Sequence, residues 1–155
     1  MKIIAVAIAL LALSSVSSSP VRADGYTNVK VDRILVSGST YTGQPLSYNK
    51  SDNPEVTALV VHVPPGGSTG WHKHPVPVYA YMLDGELTIN MKDKSSYLFK
   101  KGEVILEVMN TLHNGINKGD KEATLMVFYS GTAGMPNVIK EEPSGTPSVS
   151  NSAKD

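Results

Sequence analysis

Residues 66–85 read GGSTGWHKHPVPVYAYMLDG, and this stretch predicts the fold. It begins with a Gly-rich turn, places two histidines around one lysine, continues as an apolar run over Val78–Leu83 and ends with Asp84-Gly85. An Asp-Gly pair between two apolar runs is a strong signal for a two-residue hairpin, because both turn positions tolerate positive φ. The stretch therefore predicts two β-strands that are joined by a tight turn.

The same pattern extends in both directions from this stretch. Short apolar runs alternate with turn-forming residues, and no part of residues 24–140 has sustained helical periodicity. The runs predict seven strands, which are Arg33–Ser37, Val56–Val63, Val78–Leu83, Glu86–Met91, Tyr97–Phe99, Val104–Val108 and Thr124–Ser130. Strands at this spacing indicate an antiparallel sandwich or barrel, so we expect an all-β domain.

The first 23 residues have the layout of a secretory signal peptide. A basic start at Met1-Lys2 precedes the apolar run Ile3–Leu13, and Val21-Arg22-Ala23 forms a small-x-small cleavage site. The apolar run is too short for a membrane span, which needs about 20 residues. We therefore expect residues 1–23 to be removed and the mature protein to be exported, either to the periplasm or outside the cell, without a membrane span.

The composition of the chain limits what the mature protein can be. Its 155 residues fit one domain, which we place at residues 24–142, followed by a tail (143–155) rich in Ser, Thr, Pro and Gly that is predicted to be disordered. The 14 basic and 14 acidic side chains provide no basic excess for binding a nucleic acid. The absence of cysteine excludes disulfides and thiolate metal ligands.

Histidines are the residues of this chain best suited to metal chemistry, and there are four: His62, His72, His74 and His113. Since strand side chains alternate with period two, His72 and His74 lie on the same face, and both imidazoles could reach one metal ion at about 2.1 Å. His62 lies in a predicted strand away from the other three. We expect it on the surface or in a structural hydrogen bond.

Two patterns of glycine, histidine and asparagine surround these residues. The first consists of Gly66, His72, His74 and Gly85, and the second of Gly102, His113 and Asn117. Their order and spacing resemble the two signature motifs of the cupin superfamily, over roughly residues 55–130. The resemblance implies a small double-stranded β-helix, a jelly-roll barrel, in which His72, His74 and His113 bind a divalent ion of iron, manganese, nickel, copper or zinc. It further implies a small-molecule ligand inside the barrel and favours a homodimer.

The chain departs from the family motifs at positions that bear on the metal. Val78 stands where the family has a ligand Glu, and Val108 and Asn110 stand where it has Pro and Gly. Three neutral imidazoles leave a divalent metal with its full +2 charge, which favours anionic bidentate ligands such as enolates, hydroxy-acids or catechol-like groups. Because some cupin dioxygenases have three-histidine iron sites, the resemblance implies oxygen-dependent oxidation of a small anionic substrate. A non-catalytic periplasmic module that binds a small molecule is the alternative.

Glu107 is the candidate for a fourth ligand and the one candidate catalytic residue. It lies within the apolar run Val104–Met109, where a carboxylate is unexpected if that strand face is buried. Strand alternation leaves two interpretations open. Either Glu107 faces the metal, as a ligand or as the hydrogen-bond partner of a ligand histidine, or it points outward into water.

Other residues near the predicted site also allow two interpretations. Tyr79 and Tyr81 share one strand face, and they either line a substrate pocket or, as we expect, serve in packing or at an oligomer interface. Trp71 precedes the first ligand histidine, where it either gates the barrel mouth or, as we expect, serves in packing. Asn114 and Asn117 flank His113, where they either orient the imidazole or belong to an ordinary turn.

Overall fold

The computed structural model describes residues 28–141. These residues form no helix and nine β-strands, which are β1 (Pro54–Val63), β2 (His72–Lys73), β3 (Val78–Asp84), β4 (Glu86–Met91), β5 (Ser96–Lys100), β6 (Val104–Leu106), β7 (His113–Ile116), β8 (Ala123–Thr132) and β9 (Ile139–Lys140). In that range there is no helix long and apolar enough to span a membrane. The predicted signal peptide and C-terminal tail, residues 1–23 and 143–155, lie outside the described residues.

The chain divides into two units between Arg33 and Ile34. Of the first unit the structure describes residues 28–33, which have no regular secondary structure. They carry one ion pair between exposed side chains, with Lys30 Nζ at 2.9 Å from Asp32 Oδ2. The second unit contains all nine strands of the described range.

The strands form two antiparallel sheets. One has the strand order β1-β8-β3-β6, and the other has the order β5-β4-β7-β2-β9. The longest pairing joins β1 to β8, from Pro54 opposite Thr132 to Val63 opposite Ala123. Because most neighbours within a sheet are not consecutive in sequence, the chain crosses repeatedly from one sheet to the other, as in a jelly roll. The all-β prediction is confirmed.

One apolar core contains residues from both sheets. Alternate residues of β8 (Ala123, Leu125, Val127 and Tyr129) are buried, while the residues between them are more exposed, as the period of two requires. The other members of the core are Val63, Val76, Val78, Ala80, Met82, Leu87, Ile89, Met91, Ile105 and Val108. This alternation determines which side chains of each strand face the interior. The candidate ligands His72, His74 and His113 are buried in the same interior.

The predicted hairpin at Asp84-Gly85 is wrong, because the two strands that flank it belong to different sheets. Strand β3 pairs with β6 and β8, whereas β4 pairs with β5 and β7. Gly85 has a φ of +69°, and a Cβ built on it would lie 2.5 Å from the carbonyl oxygen of Glu122. The glycine therefore forms a corner that carries the chain between sheets past a neighbouring backbone.

The predicted strand at Arg33–Ser37 is also wrong. This segment has no strand partner among the described residues, and Ile34, Leu35 and Val36 are 63%, 43% and 74% exposed. An apolar run becomes a strand only where a neighbouring edge pairs its backbone, and the run itself does not reveal such an edge. The other six predicted strands are confirmed, with ends that shift by at most two residues. The short strands β2, β7 and β9 were not predicted.

Candidate metal centre

The three histidines of the two sequence motifs come together in the interior of the domain. His72 begins β2 and pairs directly with His113 at the start of β7, while His74 lies just beyond β2 in a parallel bridge with Met109. Each of the three contributes a nitrogen, and these nitrogens lie within 4.8 Å of one another. All three side chains are buried, with 8% exposure for His72 and 2% for His74 and His113. This spacing suits one metal ion bound by all three imidazoles.

Backbone carbonyls fix the orientation of all three rings. The Nδ1 atoms contact carbonyl oxygens at 2.8 Å (His72 to Gly70), 2.8 Å (His74 to Asn137) and 2.9 Å (His113 to Thr111). A carbonyl only accepts, so each Nδ1 carries the proton, and a neutral ring then presents an unprotonated Nε2 as the metal ligand. The three rings are thus held in the tautomer that metal binding requires.

Glu107 faces the interior, as in the first of the two interpretations. Its Oε2 lies 3.0 Å from Nε2 of His74 and 3.1 Å from Nε2 of His113, and its side chain is 12% exposed. Its backbone N–H donates to the carbonyl of Val78, the residue at the family's Glu position, at 3.0 Å. An ionised carboxylate can only accept, so a proton or a cation has to lie between its oxygen and each facing Nε2. The donor set therefore fits a divalent cation.

The acid–base properties of the cluster follow from burial and mutual contact. Burial acts to raise the pKa of Glu107, but its hydrogen bonds with His113 and His74, and the charge of those rings when they are protonated, outweigh burial and hold that pKa well below its usual range. Burial likewise acts to lower the pKa of His113, and the bond to Glu107 overcomes it and raises that pKa. His72 does not contact the carboxylate, and its pKa is lowered chiefly by burial. The carboxylate is thus ionised over the whole physiological range of pH.

A cavity of about 60 Å³ adjoins the histidines. Its polar end is formed by the three histidines, Glu107 and Thr69, and its remaining wall is mainly apolar: Val61, Val63, Leu87, Ile89, Gly115, Leu125, Val127 and Tyr129. The ring of Tyr129 lies against His74, with centroids 5.5 Å apart. Burial and then the charge of Glu107 raise the pKa of Tyr129 to about 12, which keeps the phenol neutral and able to donate a hydrogen bond.

One departure from the family motif has a simple backbone explanation. Asn110, at the position of the motif glycine, has a φ of +53°, and its N–H donates to the carbonyl of His74 at 2.8 Å. Asparagine is among the few residues other than glycine that adopt this left-handed conformation readily. The turn before His113 is therefore retained without the glycine.

The two asparagines beside His113 bond to neighbouring loops and not to its ring. Asn117 is fully buried, and its amide donates to the carbonyls of Val63 and Lys121 at 2.8 and 2.7 Å. Asn114 accepts from the hydroxyl of Ser68 at 2.8 Å. Neither side chain orients the imidazole of His113. Asn117 holds the turn that follows β7, whereas Asn114 lies within β7 itself and bonds to the segment before β2.

The remaining residues considered from sequence lie outside the cavity. His62 is exposed and its Nδ1 lies 2.8 Å from Oε1 of Glu122. Trp71 packs under the ammonium group of Lys92, which lies 4.2 Å from the ring centroid. Tyr79 and Tyr81 do not line the cavity beside the histidines. Sequence reasoning did not find Asn137, Thr69 or Tyr129. Asn137 and Tyr129 come from segments without a motif, and Thr69 lies in the first motif at a position that the motif leaves unspecified.

The cupin domain family matches residues 59–129 of this chain, a segment that contains all three buried histidines and Glu107. Residues 59–129 are therefore a cupin domain, and the double-stranded β-helix of that family is the fold formed by the two sheets. No curated protein matches the chain by sequence.

Solved structures are similar to this chain at low sequence identity. DMSP lyase DddQ from Ruegeria pomeroyi is 21% identical with a TM-score of 0.50, over 67% of this chain and 49% of that one. An uncharacterized conserved protein with a double-stranded β-helix domain from Klebsiella pneumoniae is 16% identical with a TM-score of 0.49, over 61% and 90%. A cupin domain from Bordetella pertussis is 21% identical with a TM-score of 0.45, over 54% and 99%. At these identities the likeness concerns the fold alone.

Proposed function

We propose that this protein is an exported cupin that binds one divalent metal ion through His72, His74 and His113, with Glu107 as the fourth ligand. The observation that carries the proposal is the position of the Glu107 carboxylate. Its Oε2 lies within 3.1 Å of two Nε2 atoms whose rings are already fixed through Nδ1. Three imidazole nitrogens within 4.8 Å of one another, with a carboxylate oxygen beside two of them, match the ligand set of a divalent first-row metal.

A Glu107 ligand changes the charge expected at the metal. Three imidazoles leave a net +2, whereas an added carboxylate reduces it to +1. A single negative charge on the bound molecule then neutralises the centre, so the favoured ligand is a monoanion. When bound, the metal supplies a Lewis-acid centre and, if it is iron, manganese or copper, a redox-active one.

The cavity limits the size and polarity of that monoanion. A volume of about 60 Å³ corresponds to a few water molecules, since each needs about 10–15 Å³ of such space. Apolar side chains form most of the wall away from the histidines, and Tyr129 provides one neutral donor beside them. A short aliphatic hydroxy-acid or enolate satisfies these conditions, while a catechol ring demands more space. We propose such an acid as substrate for oxygen-dependent oxidation.

One observation favours the alternative of a binding module without turnover. Within the described residues, Tyr129 is the only ionisable side chain that lines the cavity besides the three histidines and Glu107. If Glu107 is a metal ligand, no separate carboxylate is available as a general base. The protein would then hold a small monoanion on its metal and release it unchanged.

Elemental analysis of the exported protein tests the metal proposal. The protein is purified without chelator or affinity metal, and we expect near-stoichiometric metal that is lost in His72→Ala. His62→Ala is the matched control, because His62 is exposed and outside the cavity. A wild-type protein that stays metal-free after reconstitution with each of the five candidate metals would refute the proposal.

Oxygen uptake separates the two functional candidates once the metal is known. With iron bound, we expect oxygen consumption with a short 2-hydroxy acid such as lactate, and none with a catechol. Ligand binding without oxygen consumption supports the binding module instead. Export is tested on the same material, since mass spectrometry of the exported protein should place the mature N-terminus at Asp24.

A further inference from the structure

A loop that precedes the cupin-matched segment packs against the connection between β6 and β7. It consists of residues 38–46, and we call it the N-terminal loop. Two backbone hydrogen bonds of 2.9 Å close it, from the N–H of Leu46 to the carbonyl of Gly38 and from the N–H of Thr40 to the carbonyl of Gln44. The loop therefore has a defined shape of its own and can serve as a rigid support for the residues that it contacts.

The side chain of Gln44 attaches this loop to the chain two residues after Glu107. Its Oε1 accepts a hydrogen bond from the backbone N–H of Met109 at 2.8 Å, and its Nε2 donates to the carbonyl of Met109 at 3.1 Å. One amide thus pairs with both backbone groups of one residue, in the way that a neighbouring strand would. The backbone of Met109 is therefore held by a residue 65 positions earlier in the chain.

A second attachment lies on the other side of Glu107. The backbone N–H of Tyr41 donates to the carbonyl of Leu106, the last residue of β6, at 3.2 Å. The ring of Tyr41 packs against the rings of Tyr97 and Phe99, with centroids 4.9 and 5.5 Å away, which fixes this part of the loop on the domain. The N-terminal loop therefore holds the backbone both before and after Glu107.

The loop also limits the space behind the Glu107 carboxylate. A second cavity, of about 10 Å³, lies there, and its lining includes Thr40, Gln44, Val78 and Met109. Among the residues that the structure describes, Glu107 is the only one that lines both this cavity and the one beside the histidines. A volume of about 10 Å³ holds about one water molecule, so a carboxylate has no room to turn into it.

We infer that Gln44 is a positioning residue, which keeps the carboxylate of Glu107 directed at His74 and His113. This role rests on the proposed function, in which Glu107 is a metal ligand. The first motif lacks a carboxylate because Val78 stands at the position of its Glu, and the N–H of Glu107 donates to the carbonyl of that same Val78 at 3.0 Å. The carboxylate thus comes from the β6–β7 connection, and a loop outside the cupin-matched segment stabilises it there.

Zinc titration and the cobalt spectrum of Gln44→Met test this role. Methionine keeps the length of the side chain but removes both hydrogen bonds to Met109. We expect about tenfold weaker zinc binding, since loss of a residue that orients a ligand costs about 10–100-fold in metal affinity, and a changed cobalt spectrum, which a loss of stability alone would not cause. Thr42→Val is the matched control, because Thr42 is an exposed residue of the same loop whose hydroxyl lies 3.1 Å from that of Thr40. It should match the wild type in both measurements.

A double variant shows whether Gln44 acts through Glu107. Gln44→Met combined with Glu107→Gln should bind zinc no more weakly than Glu107→Gln alone, and losses that add would overturn the positioning role. Wild-type affinity and spectrum in Gln44→Met would overturn it as well, while leaving Glu107 as a ligand. Wild-type zinc binding in Glu107→Gln would instead refute the fourth ligand, and the role of Gln44 with it. If Gln44→Met loses its β-sheet circular dichroism, Gln44→Asn, whose shorter side chain cannot reach both groups of Met109, replaces it with the same expectation.

Discussion

The backbone carbonyl of Asn137 accepts a hydrogen bond from Nδ1 of His74 at 2.8 Å, although the two residues are 63 positions apart. The side-chain amide of Asn137 donates to Oγ1 of Thr57 on β1 at 2.9 Å. One residue near the C-terminal end of the domain thus connects a candidate ligand to the edge strand of the opposite sheet. Carbonyl partners of this kind set the orientation and basicity of a metal-bound imidazole.

Loss of the hydrogen bond between the Asn137 amide and Thr57 should weaken metal binding without removing a metal ligand. In Thr57→Val the Asn137 amide loses its partner, so the carbonyl that orients His74 is held less firmly. We expect metal affinity to fall by about tenfold, the lower end of the range for such partners. The measurement is competitive zinc titration against a chromophoric chelator. The spectrum of the cobalt-substituted protein should shift as well, which a loss of stability alone would not cause.

Ser96→Ala is the control for that variant, because Ser96 is an exposed residue that makes a hydrogen bond of the same length, 2.9 Å, on the other sheet. Its zinc affinity should equal that of the wild type. Equal zinc affinities in Thr57→Val and Ser96→Ala would mean that the hydrogen bond between Asn137 and Thr57 does not help to position His74.

Replacement of Glu107 by glutamine tests its role as a ligand. The substitution keeps the size of the side chain but removes the charge that lies 3.0 and 3.1 Å from two imidazole nitrogens. We expect at least about tenfold weaker zinc binding and a changed cobalt spectrum, because an amide is a poorer metal donor than a carboxylate. Full metal content with an unchanged spectrum would show that Glu107 is not a ligand. Glu122→Gln, an exposed carboxylate beside His62, is the matched control.

Gly85, which forms the corner between β3 and β4, should not be replaceable by alanine without a loss of stability. Gly85→Ala would combine a left-handed backbone with a Cβ at 2.5 Å from the carbonyl oxygen of Glu122, and we expect a loss of about 3 kcal/mol in the free energy of unfolding. Gly134→Ala is the control, because its φ of +82° is similar but nothing lies within 4 Å of the added carbon. It should cost only about 1 kcal/mol, the conformational part alone. Urea denaturation measures both, and equal losses would exclude a steric role for the Glu122 backbone.

The spacing of the motif residues predicted the histidine cluster because the two short strands that carry the motif histidines, β2 and β7, pair with each other. His72 and His113 begin β2 and β7, and their direct pairing brings together residues from two separate motifs. Strand alternation also predicted six of the nine strands of the described range. These features depend on local periodicity and on a family pattern, both of which are properties of the sequence.

Features that depend on long-range pairing could not be predicted in this way. Asp84-Gly85 is a corner because of which strands pair on each side of it, and Arg33–Ser37 is unpaired because no described strand edge accepts it. The orientation of Glu107 depends on the register of β6, which alternation alone leaves open. Asn137 acts through its carbonyl, and a backbone atom leaves no signature in the residue type.

Metal binding should stabilise the domain, and this stabilisation should depend on the three buried histidines. A ligand that binds only the folded state adds about 2.7 kcal/mol at a free concentration 100 times its Kd. We expect EDTA to lower the melting temperature of the wild type, and readdition of the native metal to restore it. His72→Ala should have the low melting temperature from the start and respond to neither treatment, because a buried ligand of the cluster is missing. His62→Ala should respond like the wild type. A melting temperature that EDTA leaves unchanged in a protein with measured stoichiometric metal would place that metal outside the histidine cluster.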